Sequence, residues 1–243
     1  MNRSTIITGA TRGIGKGIFD RLSGNGCHVA TIYHEDESAA QGLREKAKRL
    51  GIQCLVERVD IRNLSALTEF VGSVHHTFGR IDYLINNVGI DSAGLVADLS
   101  FEEWKQSQDI ILNGPFVLSK AVLPYMRQQK FGRIINIGAS SKDYYKGAPE
   151  LAAFGIHKAA LMVLTKMVAM EEIGNGITVN MVAPGSTDGA GTLPENERIP
   201  ISSIPLGRRV LVEEVVDAVM YFLSDSANSV TGQVLGVNAG LST

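Results

Sequence analysis

The residues best suited to bind a phosphate group form a glycine-rich turn near the N-terminus of this 243-residue chain. Residues 8–15 read TGATRGIG and follow directly on a short apolar run. Gly9 permits a tight turn, and Gly13 and Gly15 lack a Cβ, so the backbone can approach a pyrophosphate closely. The turn therefore predicts a dinucleotide-binding site, provided that a strand precedes it and that a helix follows with its free N–H groups facing the phosphate.

Short apolar runs alternate with longer amphipathic segments, and these would supply the strand before the glycine turn and the helix after it. The runs are rich in Ile and Val without polar alternation, which is typical of strands buried on both faces of a parallel sheet. The predicted strands are residues 4–8, 28–33, 53–59, 81–86, 133–138, 177–182 and 233–237. The predicted helices are residues 14–22, 38–50, 65–78, 101–129, 151–173 and 213–223. This order predicts an α/β fold, a single doubly wound Rossmann-type domain over residues 1–243 with a seven-stranded, mostly parallel sheet.

Composition excludes several classes of protein. A net charge of −2 gives no basic surface for nucleic acid. Cys27 and Cys54 have no paired spacing, so we expect neither a disulfide scaffold nor a metal site. No apolar stretch reaches the ~18 residues of a membrane span, and no secretory signal is visible. We therefore expect a cytoplasmic protein without nucleic-acid or membrane partners. The long irregular stretch at about residues 185–205 is a separate feature, and its length predicts a substrate loop.

Motifs along essentially the whole chain resemble those of the short-chain dehydrogenases/reductases. The glycine turn matches the family pattern T-G-x-x-x-G-x-G, and residues 86–89 read NNVG where the family has N-N-A-G. The other matching segments are Asp60 and residues 179–185, 231–233 and 237–240. Within the family the chain is most similar to the 3-oxoacyl-acyl-carrier-protein reductases, notably in residues 116–122 and 204–208.

This resemblance implies hydride transfer between a nicotinamide cofactor and a small-molecule substrate. Asp60 matches the family's contact to the adenine ring, and Lys158 matches the lysine that binds the nicotinamide ribose. The implied cofactor-binding residues are Gly9, Thr11, Arg12, Gly13, Ile14, Gly15, Tyr33, Asp60, Asn87, Gly89, Lys158, Pro184 and Gly185. Family members usually form tetramers, so the resemblance also implies a homotetramer or homodimer that uses the helices at 101–129 and 151–173.

Two catalytic positions depart from the family pattern of Asn, Ser, Tyr and Lys. The family's Tyr donates the proton to the substrate, and the Lys four residues later lowers the pKa of that Tyr. Lys158 is retained, but Phe154 precedes it by four residues, and a phenyl ring cannot donate a proton. The run at 116–121 places Ile111 at the Asn position. Asn113 would lie on another face of the helix, so we expect it to make a local hydrogen bond or cap.

The serine position has several candidates. Counting back 13 residues from Phe154 reaches Ser141, whereas counting forward along residues 135–138 reaches Ala139. The two counts differ by two residues, so an insertion lies between them. We predict Lys158 and Ser141 as catalytic residues, and Ser140 or no serine at all are the alternatives.

Other side chains could replace the missing proton donor. Tyr144 and Tyr145 lie in the inserted loop, which should overhang the nicotinamide. His157 is three residues from Phe154, and histidine titrates near neutral pH. Alternatively, the two tyrosines form part of the wall of the substrate pocket, and His157 occupies an ordinary polar position on its helix.

Charge around the first two strands favours NADP(H) over NAD(H). An NAD site usually has an Asp at the end of the second strand, and here that residue is Tyr33. Arg12 could pair with a 2′-phosphate through charge-assisted hydrogen bonds. The acidic run at residues 35–37 opposes this interpretation, unless it forms the negatively charged start of a helix.

Three functions fit these observations. The favoured one is an NADP(H)-dependent oxidoreductase with altered proton chemistry, acting on a small carbonyl, an activated olefin or an imine. The second is a catalytically inert relative that binds nucleotide as a sensor or as the structural partner of an active paralogue. The third is a carbonyl reductase that uses Tyr144 or Tyr145 as its acid.

Overall fold

A parallel sheet organises the molecule. The computed structural model describes residues 2–90, 94–139, 150–190 and 198–241. Within them, seven strands form one sheet in the order β3-β2-β1-β4-β5-β6-β7, and every pairing is parallel. The strands are β1 (Ser4–Thr8), β2 (His28–Tyr33), β3 (Cys54–Arg58), β4 (Tyr83–Asn86), β5 (Gly132–Ile137), β6 (Ile177–Pro184) and β7 (Val234–Val237). The predicted doubly wound α/β fold is confirmed.

Helices cover both faces of this sheet. They are α1 (Gly13–Gly24), α2 (Glu37–Leu50), α3 (Leu64–Phe78), α4 (Phe101–Gln108), α5 (Gly114–Gln129), α6 (Ala152–Glu172) and α7 (Val212–Leu223). Phe19 of α1 and Phe222 of α7 belong to the apolar cluster on one face. Phe70 of α3, Leu118 of α5 and Val168 of α6 belong to the cluster on the other. Alternate strand residues enter opposite clusters, as expected for strands buried on both sides.

The helix predicted over residues 101–129 is interrupted. A π-helical turn, Asp109–Asn113, separates α4 from α5, and the Gly114 N–H donates to the Asp109 carbonyl five residues earlier. The cause is Pro115, which has no N–H to donate to the Ile111 carbonyl in the usual α-helical pattern. One extra residue in the turn accommodates that loss.

One helix among the described residues is long and apolar enough to cross a membrane. It runs over Ala152–Asn175, with a mean hydropathy of 1.3. Its inner face packs into the core, and 44% of the apolar window is buried. The core helix of a soluble protein has the same composition, so this property is weak evidence for a membrane span.

Candidate nucleotide-binding and active site

The carboxyl ends of the strands collect the predicted site residues. The sheet is parallel throughout, so these ends share one edge. Residues 9–15 follow β1, Tyr33 ends β2, Asp60 lies two residues after β3, and Asn87 and Gly89 follow β4. Pro184 ends β6, and the Gly185 N–H donates to the Val237 carbonyl at 2.9 Å. Ligands of doubly wound folds bind at this edge.

The glycine turn has the backbone that its sequence predicts. Gly9 has φ of +69°, a left-handed conformation that favours glycine. A Cβ on Gly15 would lie 2.2 Å from the Gly9 carbonyl oxygen and 2.6 Å from Asn87 Nδ2. Arg12 is extended and precedes the first residue of α1. The turn therefore brings Thr11, Ile14 and the helix N-terminus to the strand edge, where free N–H groups can hold a pyrophosphate.

Hydrogen bonds join this turn to the end of β4. Thr8 Oγ1 accepts from the backbone N–H groups of Asn87 at 2.9 Å and Val88 at 3.1 Å. Asn87 Nδ2 donates to the carbonyls of Thr8 at 2.9 Å and Gly9 at 3.2 Å. The strand order reverses between β1 and β4, which is the crevice where a dinucleotide lies in this fold.

The acidic run at residues 35–37 forms the start of α2. Asp36 Oδ1 accepts from the Ala39 N–H at 2.8 Å, which caps the helix. Glu37 accepts from the Tyr33 hydroxyl and from Arg44 at 2.7 Å. Tyr33 is buried at 7% exposure. The interpretation of this run as a helix start is confirmed, and its charge is partly neutralised within α2.

Asp60, the residue predicted to contact the adenine ring, lies with its neighbours beside the ends of β2 and β3. Both Asp60 oxygens accept from the Arg62 guanidinium, at 2.6 to 3.0 Å, and this pairing lowers the pKa of the Asp60 carboxyl. His34 Nε2 lies 3.5 Å from Asp60 Oδ2, and Arg58 Nε donates to the His34 carbonyl at 3.0 Å. The sequence reasoning missed Arg62, His34 and Arg58. Their positions at or near the ends of β2 and β3 were the signal that could have identified them.

Lys158 lies on the other side of the crevice. Its side chain is 4% exposed, and Nζ donates to the carbonyl of Ile137, the last residue of β5, at 2.7 Å. A Cβ on Gly89 would lie 3.7 Å from the same Nζ. The Phe154 ring centroid is 5.7 Å from it. A buried ammonium and a phenyl ring thus stand beside the ends of β4 and β5.

Comparisons with known proteins agree with this geometry. The family model for enoyl-(acyl carrier protein) reductase matches residues 9–242. The chain is 33% identical to the putative oxidoreductase YtkK of Bacillus subtilis, over 98% of this chain and 96% of that one. It is 36% identical to the 3-oxoacyl-[acyl-carrier-protein] reductase FabG of Haemophilus influenzae, over 97% and 96% of the two chains. The chain belongs to the short-chain dehydrogenase/reductase family.

Solved structures of similar fold support the same assignment. A short-chain dehydrogenase/reductase mutant of Serratia marcescens superposes with a TM-score of 0.89 at 28% identity, covering 99% of this chain and 98% of that one. A blue fluorescent protein from a metagenomic library, in complex with NADPH, superposes with a TM-score of 0.91 at 26% identity, covering 99% and 98%.

The two residues predicted to occupy the family's Tyr and Asn positions, Phe154 and Ile111, both have apolar side chains. Phe154 is half-buried and packs against the core cluster that contains Ile111, which is fully buried. Neither side chain can donate a proton or hold a water molecule. Asn113 Nδ2 donates to Asp109 Oδ1 at 2.7 Å, so the expected local hydrogen bond is confirmed.

His157 belongs to the interface between α4 and α6. It is 3% exposed, with Nδ1 3.1 Å from Ser107 Oγ and its ring centroid 4.5 Å from that of Trp104. Burial lowers the pKa of the imidazole, which keeps it neutral at physiological pH. These contacts are those of a structural histidine. The candidate catalytic serines, Ser140 and Ser141, and the other candidate proton donors, Tyr144 and Tyr145, lie outside the described residues, whereas Ala139 is described.

A buried amide network fixes α6 on the sheet. Asn86 Nδ2 donates to Asn136 Oδ1 at 2.8 Å, and Asn136 Nδ2 donates to Thr165 Oγ1 at 2.8 Å. Ile137, the next residue after Asn136, accepts a hydrogen bond from Lys158 of α6. The end of β5 is therefore bonded to α6 at two points. Sequence reasoning missed Asn136 and Thr165. Polar residues inside an apolar strand and helix were the only signal.

Proposed function

We propose that this protein is an NADP(H)-dependent reductase whose substrate is an activated olefin. The observation that carries the proposal is the pairing of a buried Lys158 with Phe154 in place of an acid, beside an intact glycine turn. Because Gly15 has no Cβ, the first turn of α1 packs directly against the Gly9 carbonyl, which leaves the N-terminus of α1 facing the strand edge, where it fits a pyrophosphate. Lys158 fits the nicotinamide ribose. A bound NADPH would supply the hydride.

The acid requirement separates the candidate substrates. A ketone that accepts hydride becomes an alkoxide, a strong base that needs a proton at once, and Phe154 has none to give. An olefin conjugated to a carbonyl becomes an enolate, whose charge is delocalised, so that it can take its proton from water. The Lys158 ammonium would stabilise the enolate oxygen electrostatically. An iminium ion needs no proton either, but its positive charge is repelled by Lys158.

The relatives' names are compatible with this substrate class. The matching family model is named for an enoyl reductase, which reduces a conjugated olefin, whereas the FabG relatives are named for reduction of a 3-oxoacyl group. A small ketone remains the second candidate substrate, with Tyr144 or Tyr145 as its acid. The inert nucleotide-binding alternative is favoured by the loss of a polar group at both 154 and 111.

The test is oxidation of protein-bound NADPH against three panels of acceptors: enones and enoyl thioesters, ketones, and cyclic imines. We expect turnover of the conjugated olefins to exceed that of the matched ketones by roughly 10²-fold, the usual contribution of a general acid. Equal or faster ketone turnover would favour Tyr144 or Tyr145. Tight NADPH binding without any turnover would contradict the reductase proposal and support the inert alternative.

Arg12 supports the preference for NADP(H). It is exposed and directly precedes the first residue of α1. If Arg12 binds a 2′-phosphate, Arg12→Ala should weaken NADPH binding by about tenfold, since a charge-assisted hydrogen bond is lost. NADH binding should change by less than about twofold. Fluorescence titration of both cofactors measures this.

Arg21→Ala is the matched control for Arg12→Ala. Arg21 lies within α1, the helix that Arg12 directly precedes, and it pairs with Asp217 of α7 at 2.8 Å. Arg21→Ala should leave the dissociation constants of NADPH and NADH unchanged. Equal losses of NADPH and NADH affinity in Arg12→Ala would contradict the NADP(H) preference.

We also propose a homo-oligomer, dimer or tetramer, in which α5 and α6 form the contact. Phe116 of α5 and Val163, Met167 and Met170 of α6 are exposed apolar side chains, and Met170 is 82% exposed. A group of large, exposed apolar side chains on two helices favours an interface. Light scattering should give a multiple of 26.1 kDa, and a mass of one chain would contradict the proposal.

A further inference from the structure

A buried cation lies at the amino ends of the strands, across the sheet from the nucleotide crevice. Arg133 is the second residue of β5, and only 3% of it is exposed. Its guanidinium donates to the carbonyls of Gly132 at 2.8 Å and Gly176 at 3.3 Å, and to Asn228 Oδ1. All three acceptors are neutral. Burial lowers the pKa of the guanidinium, but an arginine keeps its charge even so.

The carboxylates at this end of the sheet are not bonded to Arg133. Asp82 is fully buried, and it accepts from Arg3 Nη1 at 2.9 Å and from Arg80 Nε at 2.7 Å. Asp225 is exposed and acts on Arg133 only through space. Within the described part of the chain, Arg133 therefore forms no ion pair.

Phe131 brings a second guanidinium close to the first. Its ring centroid lies 3.9 Å from Arg3 Cζ and 4.3 Å from Arg133 Cζ. The positive charge of Arg3 lowers the pKa of Arg133 further, in addition to the effect of burial. A buried charge without an opposite charge is costly. The surroundings of Arg133 therefore favour an anion.

Two buried hydrogen-bond donors at this place have no partner. Arg133 Nε and Thr178 Oγ1 form no hydrogen bond with any described residue. Arg133 of β5 and Thr178 of β6 are paired in register, so both side chains lie on the same face of the sheet, with their backbones about 4.8 Å apart. Tyr83 of β4 pairs with Arg133 on the other side, and burial raises the pKa of its phenol, which keeps the hydroxyl protonated. Buried polar groups are rarely left unsatisfied, and an ion or a water molecule is a common explanation where they are.

We infer that Arg133, Thr178 and Tyr83 form a binding site for a small inorganic anion of the size of a halide. The anion supplies the counter-charge of the guanidinium and accepts hydrogen bonds from Arg133 Nε and the Thr178 hydroxyl. Its small size follows from the enclosure of the site, since Arg133 is 3% and Thr178 1% exposed. Asn228, which Arg133 binds, belongs to the segment after α7, so the anion stabilises the attachment of that segment to the sheet.

The first experiment is thermal unfolding of the purified protein in increasing sodium chloride, compared with sodium gluconate at equal ionic strength. Gluconate is too large for an enclosed site. A ligand at ten times its dissociation constant raises the ratio of folded to unfolded protein about elevenfold, which is a rise of about 3–5 °C in Tm for a chain of this length. We therefore expect chloride to raise Tm by that amount, saturably, relative to gluconate. Equal Tm values in the two salts would overturn the inference.

Two variants assign the chloride response to these residues. Arg133→Met removes the charge and should abolish the response. Thr178→Val keeps the shape of the side chain without its hydroxyl, and the variant should fold because that hydroxyl has no described partner. Its half-maximal chloride concentration should rise by about tenfold, the value of one charge-assisted hydrogen bond. Thr68→Val makes the same change at an exposed position of α3 and should keep the wild-type response. A Thr178→Val protein with the wild-type chloride dependence would contradict the site.

Bromide locates the anion directly. In crystals soaked in sodium bromide, we expect an anomalous peak within hydrogen-bonding distance of Arg133 Nε and Thr178 Oγ1. A water molecule in that place, or bromide on the protein surface alone, would overturn the inference. A peak at the site without any chloride response in solution would identify an adventitious ion only, and the inference would fail in that case too.

Discussion

Replacing Phe154 with tyrosine should raise ketone reduction by roughly 10²–10⁴-fold, the range that a positioned general acid contributes. Residue 154 lies one helical turn before Lys158 on α6, and the Lys158 Nζ is 5.7 Å from the ring centroid. An ammonium at that distance favours the phenolate and so lowers the pKa of the new tyrosine. The added hydroxyl therefore supplies the proton that the alkoxide needs.

A second substitution, Ile111→Asn, should increase the gain further, because an asparagine there can hold a water molecule. It also costs stability, since Ile111 is fully buried in the core cluster and an amide needs hydrogen-bond partners. The measurement is NADPH oxidation by a ketone, on variants whose thermal unfolding and NADPH affinity have been verified. Phe101→Tyr adds a phenol at an exposed position and should change nothing. A folded, NADPH-binding double variant without any gain would show that residue 154 is not the acid position.

The fold could be predicted because its signals are local. Each buried strand carries its own apolar run, and the strands found differ from those predicted by at most two residues at either end. The glycine turn was equally readable, since its strand, its glycines and its helix are contiguous. The π-helical turn was not read because it depends on one missing N–H, at Pro115, inside an otherwise regular pattern.

Contacts within the site could be predicted less well, since they join residues far apart in the chain. The bonds between Asn87 and Thr8 span 79 positions. Only the placement of β4 next to β1 brings these residues together. The His157–Ser107 contact spans 50 positions and depends on how α4 packs on α6. A candidate proton donor in sequence thus became a buried structural side chain once that packing was known.

The second large effect is expected from Gly15→Ala. A Cβ at residue 15 would lie 2.2 Å from the Gly9 carbonyl oxygen, where no real Cβ is found. The obstacle is backbone, so a rotamer change cannot relieve it, and either the turn or α1 must move. We expect a loss of about 2–4 kcal/mol in the free energy of unfolding, as for severe overpacking. NADPH binding should weaken by at least about 100-fold, because displaced N–H groups no longer converge on the pyrophosphate.

Gly42→Ala is the matched control, since it makes the same chemical change inside α2, where a Cβ meets nothing within 4 Å. Alanine favours the helix, so this variant should be as stable as the wild type, or more stable by up to about 1 kcal/mol, with unchanged NADPH affinity. Chemical denaturation and NADPH fluorescence measure the two effects of Gly15→Ala separately. A destabilised Gly15→Ala protein that still binds NADPH normally would show that the close packing of the turn serves the fold alone. Lost affinity at a denaturant concentration where the variant remains folded would show that the same packing shapes the phosphate site.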